Sequence, residues 1–345
     1  MPVGGAEDFA LGVYPHLAPE VEARFVCLRS LDVLGEEARR AGMPVDLVPV
    51  FPKKRISPFG IWRLSRWMVR EGIELVHSQT HHAHIHGVLA AKFAGIRSVV
   101  HQQKTLGKLG ARQSFLLGLC FRQATSVVAL SERTAGEIRS RYGVAAGRLH
   151  VVPNAIDESV FHPAPDRTAV RRSLGLPTDG LVAGTVASLH PVKNHLTIIE
   201  ALSQLPIEGR PIFVFVGDGT ARPDLERLAE SKGVQIVFAG RQRPAVPWFQ
   251  SLDFFVLASH WEGQPLAMLQ ALACGLPVLA SRIEGNTAVL GDKHAGLFDP
   301  RDSDSLASLI RASCSDPRRF RAPDALVPTC RESALQLKSI YSLER

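Results

Sequence analysis

Residues 253–281, DFFVLASHWEGQPLAMLQALACGLPVLAS, hold a strand, a loop, a helix and a second strand in one run. DFFVLAS (253–259) is apolar on both faces, the pattern of a strand covered on each side in a parallel sheet. PLAMLQALACG (265–275) opens on a proline and closes on a glycine, the ordinary start and stop signals of a helix. LPVLAS (276–281) returns as another apolar strand. The reading predicts an exposed Glu262 and Gly263 just past the first strand. The free N–H groups of the helix start then aim at the strand's carboxyl end, where anionic or hydroxylated ligands bind.

The same alternation extends upstream. LVAGTVAS (181–188), PIFVFVGDG (211–219) and VQIVFAG (234–240) read as strands, and NHLTIIEALSQL (194–205) and ARPDLERLAESKG (221–233) as helices between them. In the first half, ARFVCL, VDLVPV, ELVHSQ, SVVHQQ and SVVALS are strand candidates. LGEEARRAG, PFGIWRLSRWMVREG, HIHGVLAAKFAG and ERTAGEIRSRYG are the helices between these. Strand–helix alternation of this kind predicts doubly wound α/β domains, here two Rossmann-like domains in tandem. The Pro, Asn and Asp content of LHVVPNAIDESVFHPAP (149–165) suits a connector. The expected divisions are an N-terminal domain over 1–153, a second over 154–330, and a last helix within 331–345 that packs back on the first. Only Met1, Pro2 and Val3 precede Gly4 and Gly5, so the first strand of the N-terminal domain is expected to be missing, or to lie upstream of Met1.

With 345 residues, 46% hydrophobic, 21% charged and a mean hydropathy of +0.06, the chain is neither disordered nor low in complexity. No apolar run is long enough to span a bilayer, and no secretory signal is recognisable, so a cytoplasmic protein is expected. Five scattered cysteines without a C-x-x-C pair read as reduced thiols. The net charge of +7 is unevenly placed: residues 1–153 hold 20 Lys+Arg against 12 Asp+Glu, and residues 154–345 hold 20 against 21. A basic half beside a neutral one calls for an anionic partner. Nucleic acid is not expected, because no recognition module is present and the basic residues are spread rather than striped.

Several motifs have two readings. VGDG (216–219) lacks the third glycine of a dinucleotide fingerprint, Arg222 standing in its place, and reads as a tight turn rather than a cofactor loop. No cofactor is expected. Six of 13 histidines fall between His77 and His101, and His82 and His86 have helical i,i+4 spacing. No carboxylate or cysteine joins them, so a polar, substrate-facing loop is favoured over a metal. KKRISPFGIWRLSRWMVREG (53–72) interleaves basic residues with Trp62 and Trp67. It suits either an interfacial membrane helix or a surface helix whose Trp62, Leu64 and Met68 pack on the sheet; packing is favoured. SLHPVKNHLTIIEAL (188–202) sets Lys193 between a strand and a helix, where a lysine neutralises a phosphate.

At these residues the chain resembles the family 4, or group 1, glycosyltransferases of GT-B fold, in which two Rossmann-like domains face each other across a cleft. GGAEDFALGV, ELVHSQTHHAHIHGVLAAKFAGI, VVPNAIDESVFHP, TVASLHPVKNHLTIIEAL, FVFVGDGTARPDLERLA and SHWEGQPLAMLQALACGLPVLAS carry the likeness in order along nearly the whole chain. The resemblance implies metal-independent, retaining transfer of a sugar from a nucleotide-sugar donor to a glycan or lipid-linked acceptor. It implies that Lys193 holds the donor diphosphate, that Glu262 contacts sugar hydroxyls, and that Gly263, Gln264, Pro265 and Leu266 present backbone amides. Gly4, Gly5 and Gly217 would allow close backbone approach to the donor. The family's second acid is Gln270 here, its arginine before the lysine is Ser188, and a histidine at the acceptor loop is Lys104. His81, His82 and His101 fall on the acceptor side. Two alternatives share these motifs: a degenerate protein that binds a nucleotide or glycan, and a nucleotide-sugar epimerase. The charge excess of the first domain predicts an anionic membrane surface as a further partner, met by Lys53, Lys54, Arg55 and the Trp62–Trp67 helix.

Overall fold

The computed structural model describes residues 5–50, 56–103, 110–322 and 327–342. Contacts divide the chain into two compact units, Met1–Ala155 with Pro328–Arg345, and Ile156–Val327.

In the first unit β1 (Phe25–Cys27) and β2 (Val45–Leu47) form a two-stranded parallel sheet. A separate parallel sheet runs β3 (Leu75–Ser78), β4 (Arg97–Gln102), β5 (Ser126–Ala129) and β6 (Leu149–Val151). The last of these falls inside the stretch read as a connector: Leu149–Val151 alternates enough to continue the ladder beside β5 before Pro153 ends it. Helix Gly5–Val13 is the first described element, and no described strand precedes it. Its Phe9 and Val13 pack with Val99, Val128 and Val152 and with Leu337 and Ile340 of the final helix, Cys330–Ser342. The opposite face of the sheet is covered by Ile85, Val88, Leu117, Phe121 and Ile138. Tyr14 lies edge-on to Phe25 at 4.9 Å and to His77 at 6.2 Å, and so spans from β1 to β3.

The second unit holds one continuous parallel sheet. Its strands are β7 (Val182–Val186), β8 (Ile212–Val216), β9 (Ile236–Gly240), β10 (Phe254–Leu257), β11 (Val278–Ser281) and β12 (Leu297–Phe298), in the order β12-β11-β10-β7-β8-β9. Successive side chains point to opposite faces, so Phe213 and Phe215 enter one core and Val214 and Val216 the other. That is why these strands read as unbroken apolar runs. The chain winds outward from β7 to β9, then returns to β10 on the other side of β7. The reversal creates a switch point between β7 and β10, where loops diverge and leave room for a ligand.

Helix Pro58–Arg70 corrects one expectation. Leu64 and Met68 are buried, but Trp62 is 56% exposed, and Trp67 takes a half-buried place instead. At about 100° per residue, position 62 lies on the opposite side of the helix from 64 and 68.

Candidate functional site: the switch point of the second unit

Lys193 follows β7 and Glu262 follows β10, so the two adjacent central strands deliver them to one place. Lys193 Nζ donates to Glu262 Oε1 at 2.6 Å. The expected exposure of Glu262 is corrected here, for its side chain keeps only 10% of its accessible surface. It is enclosed because Lys193 and Ser259 both close on Oε1, the Ser259 hydroxyl donating at 2.7 Å. Ser281 at the end of β11 donates to the Ser259 carbonyl at 2.5 Å, and the buried Asn286 amide donates to the Ser281 carbonyl at 2.8 Å. A chain of polar groups thus runs across three strand ends and holds the carboxylate in one position.

Backbone geometry completes the support. Asn194 adopts a left-handed φ of 54°, which turns the chain from the Pro191–Lys193 turn directly into helix His195–Ser203. Its side-chain amide donates to the carbonyls of Ala258 and Pro300, at 3.1 and 2.8 Å. The His260 amide donates to the Val192 carbonyl at 2.8 Å, fixing the Glu262 loop to the lysine turn. Gly285 has no room for a side chain: a Cβ there would stand 2.4 Å from the Glu262 carbonyl oxygen. Gly217, at φ +144° just past β8, would place a Cβ 1.9 Å from the Ala187 carbonyl oxygen, so only glycine fits.

Gly263 and Gln264 lie between Glu262 and helix Leu266–Ala273, whose N-cap is the buried Pro265. Proline at that boundary cannot donate, and the amides that follow it point back toward the strand ends. Leu266 opens the helix and Gln270 sits half-buried further along it. Ser188 is exposed beyond β7. Asn194, Ser259, Ser281, Gly285 and Asn286 were not singled out from sequence. Only Asn194 carried a local signal, an asparagine between a lysine and an apolar helical run.

The first unit places its histidines differently. His81 and His82 start helix His81–Ala94 and are half-buried, while His84, His86 and His101 are fully buried. His86 Nδ1 meets the His82 carbonyl at 2.9 Å, and its Nε2 accepts from the Ser57 amide at 3.4 Å, so the ring ties two segments together. Among the described residues no three His, Cys, Asp or Glu side chains gather where a metal could be held. His77 meets the Tyr341 hydroxyl at 2.5 Å and stacks on His101 at 5.3 Å. Burial lowers His77 and His84 to about 3 and puts His101 well below the usual value, so all three are neutral at pH 7. Past β3 and at the end of β4, Gln79 Nε2 and both amide atoms of Gln103 are buried with no partner among the described residues. Buried polar atoms normally find partners, so these groups are candidates for contact with a ligand. Gly5 begins the first helix and is exposed. Gly4, Lys104, Lys53, Lys54 and Arg55 lie outside the described residues.

Two parallel α/β units, with a lysine–carboxylate pair at the switch point of the second, define an architecture shared by solved GT-B structures. Anabaena HepE in complex with UDP superposes with a TM-score of 0.81 at 20% identity, over 99% of this chain and 96% of that one. The lipopolysaccharide outer core galactosyltransferase WaaB superposes with a TM-score of 0.68 at 16% identity. The fold is GT-B. The model described as glycosyl transferases group 1 matches residues 166–325, and that described as Glycosyltransferase Family 4 matches residues 3–160. The chain belongs to the group 1, family 4 glycosyltransferases.

Among curated relatives, a D-inositol 3-phosphate glycosyltransferase of Xylanimonas cellulosilytica is 34% identical over 56% of this chain. The match spans 49% of that relative, about half its length. An Escherichia coli UDP-Gal:alpha-D-GlcNAc-diphosphoundecaprenol alpha-1,3-galactosyltransferase is 28% identical over 72% of this chain and 69% of its own.

Proposed function

We propose that this protein transfers a hexose from a nucleotide-sugar donor to a glycan or lipid-linked acceptor, with retention at the anomeric carbon. The observation that carries the reading is the Lys193–Glu262 pair at the β7/β10 switch point. An ammonium group has three donors. One is used on Glu262, and the others are directed to donor phosphate oxygens. Glu262 Oε2 accepts from a sugar hydroxyl, while its Oε1 keeps the lysine in place. As the bond from the anomeric carbon to phosphate breaks, negative charge grows on the leaving oxygens. Lys193 and the amides at the start of helix Leu266–Ala273 stabilise it without reorganising. The leaving phosphate takes the acceptor hydroxyl's proton as the new bond forms on the same face of the sugar. Because Lys193 supplies the countercharge, the proposed reaction needs no metal.

One relative named for transfer from UDP-Gal to a diphosphoundecaprenol acceptor, and a fold neighbour holding UDP, support a uridine-nucleotide donor and a phosphorylated acceptor. The five free thiols support a reducing, cytoplasmic compartment. The test is a screen of UDP-, GDP- and ADP-sugars for nucleoside diphosphate release with and without a glycan or lipid-diphosphate acceptor, in the presence of chelator. Acceptor-dependent release untouched by chelator is the expected result. Binding without turnover identifies a degenerate binding protein, and donor conversion that ignores the acceptor identifies an epimerase. Either outcome overturns the transferase reading.

A further inference from the structure

Helix Pro58–Arg70 presents two faces of opposite character. Ile61, Leu64, Ser65 and Met68 are buried beside Val48, Val50 and Ala90. Gly60 lets the helix lie flat on that surface, since a Cβ there would stand 1.9 Å from the Val50 carbonyl oxygen. The outward face carries Phe59 at 67% exposure, Trp62 at 56% and Val69 at 55%, with the Phe59 and Trp62 rings stacked at 5.7 Å. Arg63 and Arg66 are exposed on the same face, and among the described residues neither meets a carboxylate. At about 100° per residue, positions 59, 62, 63, 66 and 69 fall within an arc of about 120°.

Single exposed apolar residues are ordinary. Here three of the twelve large apolar side chains that stand exposed among the described residues share one stripe of one 13-residue helix. The helix itself contains no acidic residue, and Lys53, Lys54 and Arg55 precede it in sequence. Arginine between aromatic rings suits a boundary where apolar chains meet phosphates: rings enter the acyl edge while guanidinium groups stay at the headgroups. The helix carries arginines and no carboxylate, so the surface complementary to it is anionic as well as apolar.

We propose that this face of helix Pro58–Arg70 docks on the surface of an anionic phospholipid bilayer. The stripe lies parallel to the helix axis, so the helix rests in the interfacial plane, and the first unit is held there reversibly. Binding is measured without turnover, so the docking stands or falls separately from the transfer reaction.

The experiment sediments the full chain with phosphatidylcholine vesicles, with and without phosphatidylglycerol, at low and high salt. The protein is expected to follow the anionic vesicles only, and less so at high salt. Arg63→Gln with Arg66→Gln is expected to lower the partition coefficient about thirtyfold, since each basic side chain near an anionic leaflet is worth about fivefold. Phe59→Ser with Trp62→Ser is expected to lose sedimentation at every salt concentration. Phe93→Ser, at a residue 75% exposed on a different helix, is the control and keeps wild-type binding. Unchanged melting of each variant shows that it folds. Equal partitioning to both vesicle types, no partitioning to either, or wild-type binding by the stripe variants overturns the proposal. So does loss of binding in the Phe93 control.

Discussion

The two units are built from the same strand–helix alternation, yet their sheets differ at one position. In the second unit β7, the first strand in sequence, sits at the centre between β8 and β10. In the first unit no described strand holds the corresponding place, and β1–β2 stands apart from β3–β6. The consequence is chemical as well as mechanical. At the centre of the second sheet, polar groups close on one another from Lys193 to Asn286. Around β3 and β4 of the first, His77, His84 and His101 are buried neutral, and Gln79 Nε2 and both amide atoms of Gln103 have no partner among the described residues. The continuous sheet preorganises its switch point through a run of hydrogen bonds from Lys193 to Ser281, whereas past β3 and β4 of the first unit those buried amide atoms stay open among the described residues.

Acid separates the two units most strongly. A histidine whose folded value lies below 6.5 binds its proton more readily when unfolded. The stability it permits is therefore full above about pH 6.5 and declines as pH falls toward the folded value. Between pH 6.5 and 5 each such residue costs about 2 kcal/mol. The first unit holds three that burial lowers this far, and His81 and His86 are lowered as well; among the described residues of the second, burial lowers His195 to about 3 beside Phe215 and also lowers His294. Hydrogen exchange at pH 7 and pH 5, corrected for intrinsic rates, is expected to show the first unit opening first. Parallel loss of protection in both units breaks the comparison.

A pair of core truncations tests the same contrast next. Phe215→Ala in the continuous sheet removes a fully buried ring packed on Phe213 and His195, and is expected to cost about 3–5 kcal/mol. Phe25→Ala in the two-stranded sheet removes a half-buried ring, and is expected to cost about 1–2 kcal/mol. Urea titration reads both, and equal costs mean that the divided sheet is as tightly packed as the other.

Lys193→Ala addresses the preorganised site itself. It is expected to weaken nucleoside-diphosphate binding by about 1–3 kcal/mol, read by calorimetry. Unchanged affinity places the diphosphate elsewhere. The smallest expected effect belongs to Gln270→Glu, which restores a carboxylate to a half-buried helical position. It is expected to change nucleotide affinity by less than about 1 kcal/mol, and a larger gain makes that position a determinant of donor binding.

Much of this architecture was legible because its signals are local. Apolar runs between helical patterns located β7, β8, β10 and β11 to within three residues at each end. Lys193 and Glu262 were picked out because each follows such a run and precedes a helix. The segment Ala111–Gln123, by contrast, forms a helix that sequence reasoning passed over, its apolar residues being too scattered to show a face. The facing of helix Pro58–Arg70 was misjudged because two tryptophans compete for the buried side, and only packing on Val48 and Val50 chooses between them.

What the chain's own pattern determined is the period of each element and the loops where chemistry sits, both of which depend on neighbours within a few residues. What the tertiary structure decided is which loops meet. Lys193 and Glu262 are 69 residues apart and touch only because strand order sets β10 beside β7. The residues that fix them, Ser259 and Ser281 at two strand ends and Asn286 on helix Glu284–Leu290, carry no shared sequence signal. A hydrogen bond forms over less than 3.5 Å whatever the length of chain between its ends, so the period of a sequence cannot name its partner.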